Sequence, residues 1–386
     1  MDFDDAMHLQ TPQHPSPSHA AMPHLRPGRK ATWFELFFDL AFVTAVAQLT
    51  AALSHHFDAV GLAQFVPALL LLWWTWLGHT FHATRFDEDR WDQHLLGMLQ
   101  IAAVIVIAYG ASAAFGTRGW AFAAGMAALK LLLMAAYLQE RHRPTAESLA
   151  RSYAGIYAVQ ALLWAGSLAL DGAARWALWG VVLVLDVASP FLVARHTHAY
   201  PPHPEHLPER FGLFTIIVMG EGVASALHAL LHGERLEPQS VTLAVLGLVL
   251  AFLYWVGYFE RVRGHGERHV GDAVAARKLR HWAYAHIPLL AGLGIGAAGL
   301  VAAAGPTEPT HAAWIIGVGI ALAMLGLTAI GAAQAQSTRS PTEHAQHAAI
   351  ALLPVLAALF VPAVGVLAAG AAAARLQLWL AASRRR

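Results

Sequence analysis

The chain of 386 residues contains no cysteine. Disulfides, thiolate metal centres and thiol nucleophiles are therefore excluded, and the redox compartment cannot be read. Charge is scarce too. Asp, Glu, Lys and Arg make up 13% of the residues, where soluble domains carry about 25%. There is no glycine-rich phosphate loop and no H-E-x-x-H metalloprotease signature. The expectation is that the chain is not an enzyme, holds no cofactor or metal centre and binds no nucleic acid.

What is abundant is apolar residues, at 57% of the chain. They come in runs of about 17–24 residues rather than in amphipathic stripes, long enough to cross a hydrocarbon core of about 30 Å as helices. Twelve spans are expected, at 33–53, 61–82, 94–115, 119–139, 151–170, 174–194, 210–231, 240–260, 280–303, 311–333, 344–360 and 362–382. Pro354 and Pro362 open a broken or re-entrant reading for the last two. Of the 25 Lys and Arg residues, three (Arg118, Arg175, Arg235) fall on one side of these spans, and Lys130 and Arg375 lie within spans. The remaining 20 share the side of the N-terminus. This bias orients the chain with both termini cytoplasmic.

Residues 1–28 are polar, rich in Pro and His, and without an apolar signal region. They read as a disordered cytoplasmic tail, with loose metal binding as the alternative. A proline-rich linker at His196–Pro204 divides the rest into six-helix halves, 29–200 and 201–386. The halves echo one another: Glu35-Leu36-Phe37-Phe38 opens the first and Glu209-Arg210-Phe211-Gly212 the second, and the third spans begin near His94 and His281. Six helices return to the side they left, so a duplicate enters in the same orientation, the parallel-repeat plan of several transporters. The competing reading is that aromatic helix ends resemble one another wherever they meet an interface. The fold class expected is an all-α polytopic membrane protein.

Charges inside spans carry the candidate chemistry, because each is costly in lipid unless partnered. Glu35 and Asp39 are i and i+4, on one face of the first helix, with Asp39 about 6 Å deeper. Glu35 is expected to anchor the interface beside Arg29 or Lys30, and Asp39 to find a buried partner. Glu221, flanked by Gly220 and Gly222, lies about 18 Å beyond Glu209 along its helix, near the bilayer midplane. Lys130 needs an acid; Glu221 is the first candidate and Asp186 the second. Asp186 and Arg375 also sit at matching depths with opposite sign. His286, just before Pro288, is either a proton carrier or a hydrogen-bonded structural residue. Arg85, Asp87 and Asp89 form a solvated inner-face patch that, with Glu35, Glu209 and Arg210, would suit a gate. His196, His198, His203 and His206 would hold a metal only loosely. The basic stretch Arg261–Arg280 suits anionic membrane lipid.

The segments Arg29–Leu40, Arg85–Asp89, Glu209–Glu221 and His281–Pro288 resemble the low temperature requirement protein A family across residues 29–382. Ala41 departs from its usual Val, Gly222 from Ser and Arg90 from Asp. The resemblance implies a multi-pass protein of the bacterial inner membrane, named for a cold-growth phenotype, with no established substrate. Two functions remain open. One is a proton- or ion-coupled secondary transporter of a small ion or solute, using the buried carboxylates. The other is a non-transport protein supporting membrane assembly or lipid adaptation to cold.

The orientation has a direct check in a cysteine-free chain. His265→Cys and Thr307→Cys, each alone, are expected to react with an impermeant maleimide from opposite faces of the membrane. Labelling from the same face would remove the crossing between them.

Overall fold

The computed structural model describes residues 30–86, 91–197, 200–231, 237–262, 273–305, 311–333 and 340–383. The expected tail at 1–28 and the acidic residues Asp87 and Asp89 lie outside them. Every regular element among the described residues is a helix, as lipid demands of backbone that must satisfy its own hydrogen bonds. The first half comprises α1 (Trp33–His55), α2 (Ala59–Arg85), α3 (Trp91–Ala111), α4 (Gly119–Gln139), α5 (Glu147–Gly166) and α6 (Gly172–Leu192). A short helix, α7 (Ala194–Thr197), leads to α8 (His206–Leu231), α9 (Pro238–Val262), α10 (Ala273–Ala303) and α11 (Ala312–Ala332). The second half closes with α12 (Pro341–Ala351), α13 (Leu353–Ala357) and α14 (Ala363–Ser383).

Among the described residues, ten helices are long and apolar enough to cross a membrane. The two expected spans outside that set are α5 and the α12–α13 pair. α5 has 20 residues, a length of about 30 Å, but carries Glu147, Arg151, Ser152 and Gln160. The helix expected at 344–360 is interrupted at Leu352, ahead of Pro354, which has no amide hydrogen to continue the ladder. The broken pair runs antiparallel to α11 and α14. Pro354 lies against Gly317 near the start of α11, and the His347 carbonyl accepts a bond of 2.6 Å from Gln377 Nε2 near the end of α14. Two other helices start earlier than the apolar runs suggest. α10 begins at Ala273, and α8 begins at His206, where His203 Nδ1 accepts from the amides of Glu205 and His206 at 3.2 Å each.

Most neighbour pairs recur in the two halves, although α11 also packs on α14 and α9 on α10 where the first half has no comparable contact. α1 packs on α2 and α3, α3 on α4, α4 on α5, α5 on α6, and α2 on α4 and α6. α8 packs on α9 and α10, α10 on α11, α11 on α12 and α13, those two on α14, and α9 on α11 and α14. The halves meet where α1 and α2 touch α8 and α10. α1 and α8 run the same way there: Glu35 and Asp39 meet His206 and Arg210, and further along Phe42 and Val46 share a small apolar gap with Phe214 and Val218. Large apolar side chains such as Leu162, Val184 and Phe252 face outward, while Glu35, Asp39, Arg85, Lys130, Asp186 and Arg210 are buried. That is the distribution of a chain whose solvent is hydrocarbon.

With lipid as apolar as leucine, helices adhere through close packing. One such close contact joins α10 and α11. A Cβ on Gly292 would lie 2.4 Å from the Gly319 carbonyl oxygen and from the Ala323 nitrogen, both backbone. By contrast, a Cβ on Gly155 would meet nothing within 4 Å. Gly292→Val is therefore expected to destabilise the detergent-solubilised protein by about 1–3 kcal/mol, the usual cost of overpacking. Gly155→Ala should leave it unchanged, as read by thermal unfolding.

Candidate functional site

The first turns of α1 and α8 carry complementary pairs at the same spacing. Glu35 and Asp39 are i and i+4 on α1, and His206 and Arg210 are i and i+4 on α8, so each pair projects from one helix face. Thr32 and Glu35 close a capping box that fixes the start of α1, with the Thr32 amide donating to Glu35 Oε2 at 2.8 Å. Because the helices run parallel, the two faces meet in register. Arg210 forks onto Asp39, with Nη2 to Oδ1 at 2.6 Å and Nε to Oδ2 at 3.1 Å. Its Nη1 stands 3.0 Å from Glu35 Oε1, and His206 Nε2 donates to Glu35 Oε2 at 3.1 Å. Trp76 of α2 donates its indole N–H to Asp39 Oδ1 at 2.7 Å. Asp39, His206 and Arg210 have no exposed surface, and Glu35 almost none. At the rim Glu209 Oε2 accepts the Ala31 amide at 2.9 Å, which ties the lead-in of α1 to α8.

Beneath these charges is an aromatic layer. The Trp76 ring lies 4.2 Å from that of Phe214, and Phe211 lies 4.4 Å from Trp282 and 4.8 Å from His286. His286 Nδ1 donates to the Trp282 carbonyl at 2.8 Å, and its Nε2 meets the Tyr258 hydroxyl at 3.1 Å. Both ring nitrogens are thus hydrogen-bonded.

The cluster thus sets the carboxylates of Glu35 and Asp39 against the guanidinium of Arg210, with His206 Nε2 directed at Glu35.

Several expectations change. Glu35, expected as an interface anchor beside Arg29 or Lys30, is buried against α8, where it meets His206 and Arg210; Arg29 lies outside the described residues. Lys130 pairs with Asp186 at 2.7 Å, not with Glu221, and Gln160 Nε2 donates to the same Asp186 oxygen at 3.0 Å. Arg375 is exposed and stands apart from Asp186. Glu221 is half-buried on α8, with open space where side chains on Gly220 or Gly222 would project, so it does not join the interior cluster. Arg85 is not part of a solvated patch; it is 1% exposed within the first half. His203 and His206 serve as helix cap and Glu35 partner rather than as metal ligands, and His198 lies outside the described residues. His206 and Trp76 were missed as site residues. The signal for His206 was its i, i+4 spacing to Arg210, which mirrors the carboxylates of α1.

Residues 30–380 match the family described as bacterial low temperature requirement A protein (LtrA). The chain belongs to this family. A relative in Rhizobium meliloti (strain 1021), the uncharacterized protein RA0937, is 27% identical over 277 residues, which cover 68% of this chain and 67% of the relative. As a member of the LtrA family with apolar helices of membrane-spanning length, the chain is a multi-pass membrane protein. The family match contains the whole ionic cluster, since Glu35, Asp39, His206 and Arg210 all fall within it.

Removing one partner of a buried ion pair typically costs about 3–5 kcal/mol, because the other charge stays desolvated. Arg210→Met is expected to lower thermal stability in detergent by that order. Asp39→Asn is expected to cost a similar amount by itself, and combining it with Arg210→Met should cost clearly less than the sum of the two single losses. Strictly additive losses in this cycle would mean that the two residues are not coupled.

Proposed function

We propose that this LtrA family protein is a proton-coupled secondary transporter. Two parallel six-helix halves rock about the α1–α8 seam, and Glu35, Asp39, His206 and Arg210 form the coupling site. One observation carries this reading: four ionisable groups are buried together at the seam between two similarly packed units, where relative motion would expose them. A purely static interface gains little from such a cluster, since well-packed apolar side chains of similar volume are often as stable or more so. Intramembrane ionisable groups facing a bundle interior are a usual mark of ion or proton pathways.

The neighbour pairs shared by α1–α6 and α8–α14, with α1 parallel to α8, support the parallel repeat. The α12–α13 pair then serves as the eleventh crossing and is the counterpart of α5, so twelve crossings return the chain to its starting side. The distribution of basic residues supports a bacterial cytoplasmic membrane with both termini inside. In the proposed cycle a proton arriving at His206 neutralises the cluster and favours the closed seam. Its loss leaves excess negative charge in a low dielectric and favours opening toward water.

Rocking predicts alternating access, which needs no knowledge of the substrate. Val46→Cys and Val218→Cys, both buried at the seam beneath the cluster, are expected to react with an impermeant thiol reagent applied from either face of oriented vesicles. Asp39→Asn should bias the reaction toward one face. A seam closed to reagent from both faces would overturn the transporter reading and leave the non-transport role.

A further inference from the structure

The first half and α10 enclose a cavity of about 60 Å³ that the seam cluster does not reach. Its walls include Arg85 of α2, Tyr137 of α4, Tyr153 and Tyr157 of α5, Asp186 of α6 and Arg280 of α10. We propose that this cavity is a binding site for a small organic carboxylate, held by the guanidinium of Arg85 and the surrounding tyrosine hydroxyls.

Arg85 is buried yet has no carboxylate at ion-pairing distance among the described residues. Its polar contacts are with tyrosine hydroxyls, Nη1 to Tyr137 at 3.4 Å and a further bond to Tyr153, and its Nε has no acceptor among the described residues. The guanidinium otherwise lies over the rings of Phe81 and Tyr153, at 5.1 and 5.6 Å. Ring faces attract a cation but do not replace an anion when it is fully desolvated. The other buried cations of the interior, Lys130 and Arg210, each have a carboxylate within 2.7 Å. Arg85 departs from that rule, and it does so at the wall of a cavity.

The cavity offers more than one cation. Tyr137, Tyr153 and Tyr157 pack ring on ring, with centroids 4.8 to 5.9 Å apart, which gathers their hydroxyls at one place. Gly78 makes room for them, since a Cβ there would lie 2.4 Å from the Tyr157 hydroxyl. Asp186 also reaches the cavity. Its Oδ1 is taken by Lys130 and Gln160, while Oδ2 has no donor. Since Lys130 balances Asp186, Arg85 and Arg280 leave the walls net positive. A ligand is thus offered a planar fork for a carboxylate, phenolic donors beside it, and an acceptor for a hydroxyl or ammonium. Trp74, Leu77 and Phe81 line the rest, which favours an organic body over an inorganic ion. Binding of this kind does not require that the protein moves solutes.

The test uses the full chain in detergent, with acetate, benzoate, lactate, phosphate and chloride as probes, read by calorimetry and by thermal shift. Acetate, lactate or benzoate is expected to bind saturably and to raise the unfolding temperature. Tyr153→Phe and Tyr157→Phe, which remove only a hydroxyl, should weaken binding several-fold, and Arg85→Lys by about tenfold or more. In ligand-free buffer Arg85→Met should be at least as stable as the parent, since it deletes an unbalanced buried charge. Stability lost in Arg85→Met, without saturable carboxylate binding to the parent, would make Arg85 structural and overturn the proposal. Binding of phosphate or chloride but no carboxylate would overturn the ligand class. Binding that persists unchanged in Arg85→Lys and both Phe variants would overturn the site.

Discussion

The guanidinium of Arg210 lies between two carboxylates of another helix, and much of the architecture follows from the need to keep it there. A charge stripped of water in a low-dielectric interior is tolerated only when opposite charge and hydrogen bonds replace its hydration. Asp39 supplies a bidentate partner and Glu35 a second carboxylate. Both come from one helical face, so α1 must lie parallel to α8 with their first turns level. The Trp76 indole satisfies Asp39 further and draws α2 into the same junction. The aromatic layer of Trp73, Trp76, Phe211, Phe214 and Trp282 then separates these charges from the apolar seam beneath.

Three kinds of buried charge coexist, and the differences between them are informative. Lys130, Asp186 and Gln160 join α4, α5 and α6 within the first half, where a close ion pair fixes three helices whose apolar faces alone would slide. The seam cluster joins α1 and α2 to α8. Arg85 has no carboxylate at ion-pairing distance among the described residues. The first lies within one half, the second between the halves and the third at the wall of a cavity.

Close backbone approach governs the remaining contacts. Gly292 and Gly319 let α10 and α11 meet backbone to backbone, and Gly125 does the same for α3 and α4 against Ala103 and Ile107. The interruption at Leu352 lets Pro354 approach Gly317, where the first turns of α11 receive the broken helix.

Composition and the spacing of apolar runs were enough to determine an all-helical membrane chain, because the bilayer fixes helix length and the cost of every charge within it. The residues of the seam were legible too: Glu35, Asp39, Glu209 and Arg210 stand out as charges where apolar residues are expected. Their partners were not. A sequence gives depth along a helix but not the direction in which a face points. For that reason Lys130 had two acids at suitable depth, and only the packing of α4 against α5 and α6 chose Asp186. Glu221, the most conspicuous carboxylate in the sequence, faces away from the bundle's charges for the same reason. His206 looked like one histidine of a polar loop until the His203 cap extended α8 by one turn and turned it toward Glu35. Pairing is a property of faces brought together across the fold, and helix rotation, which only tertiary packing sets, decided which charges met.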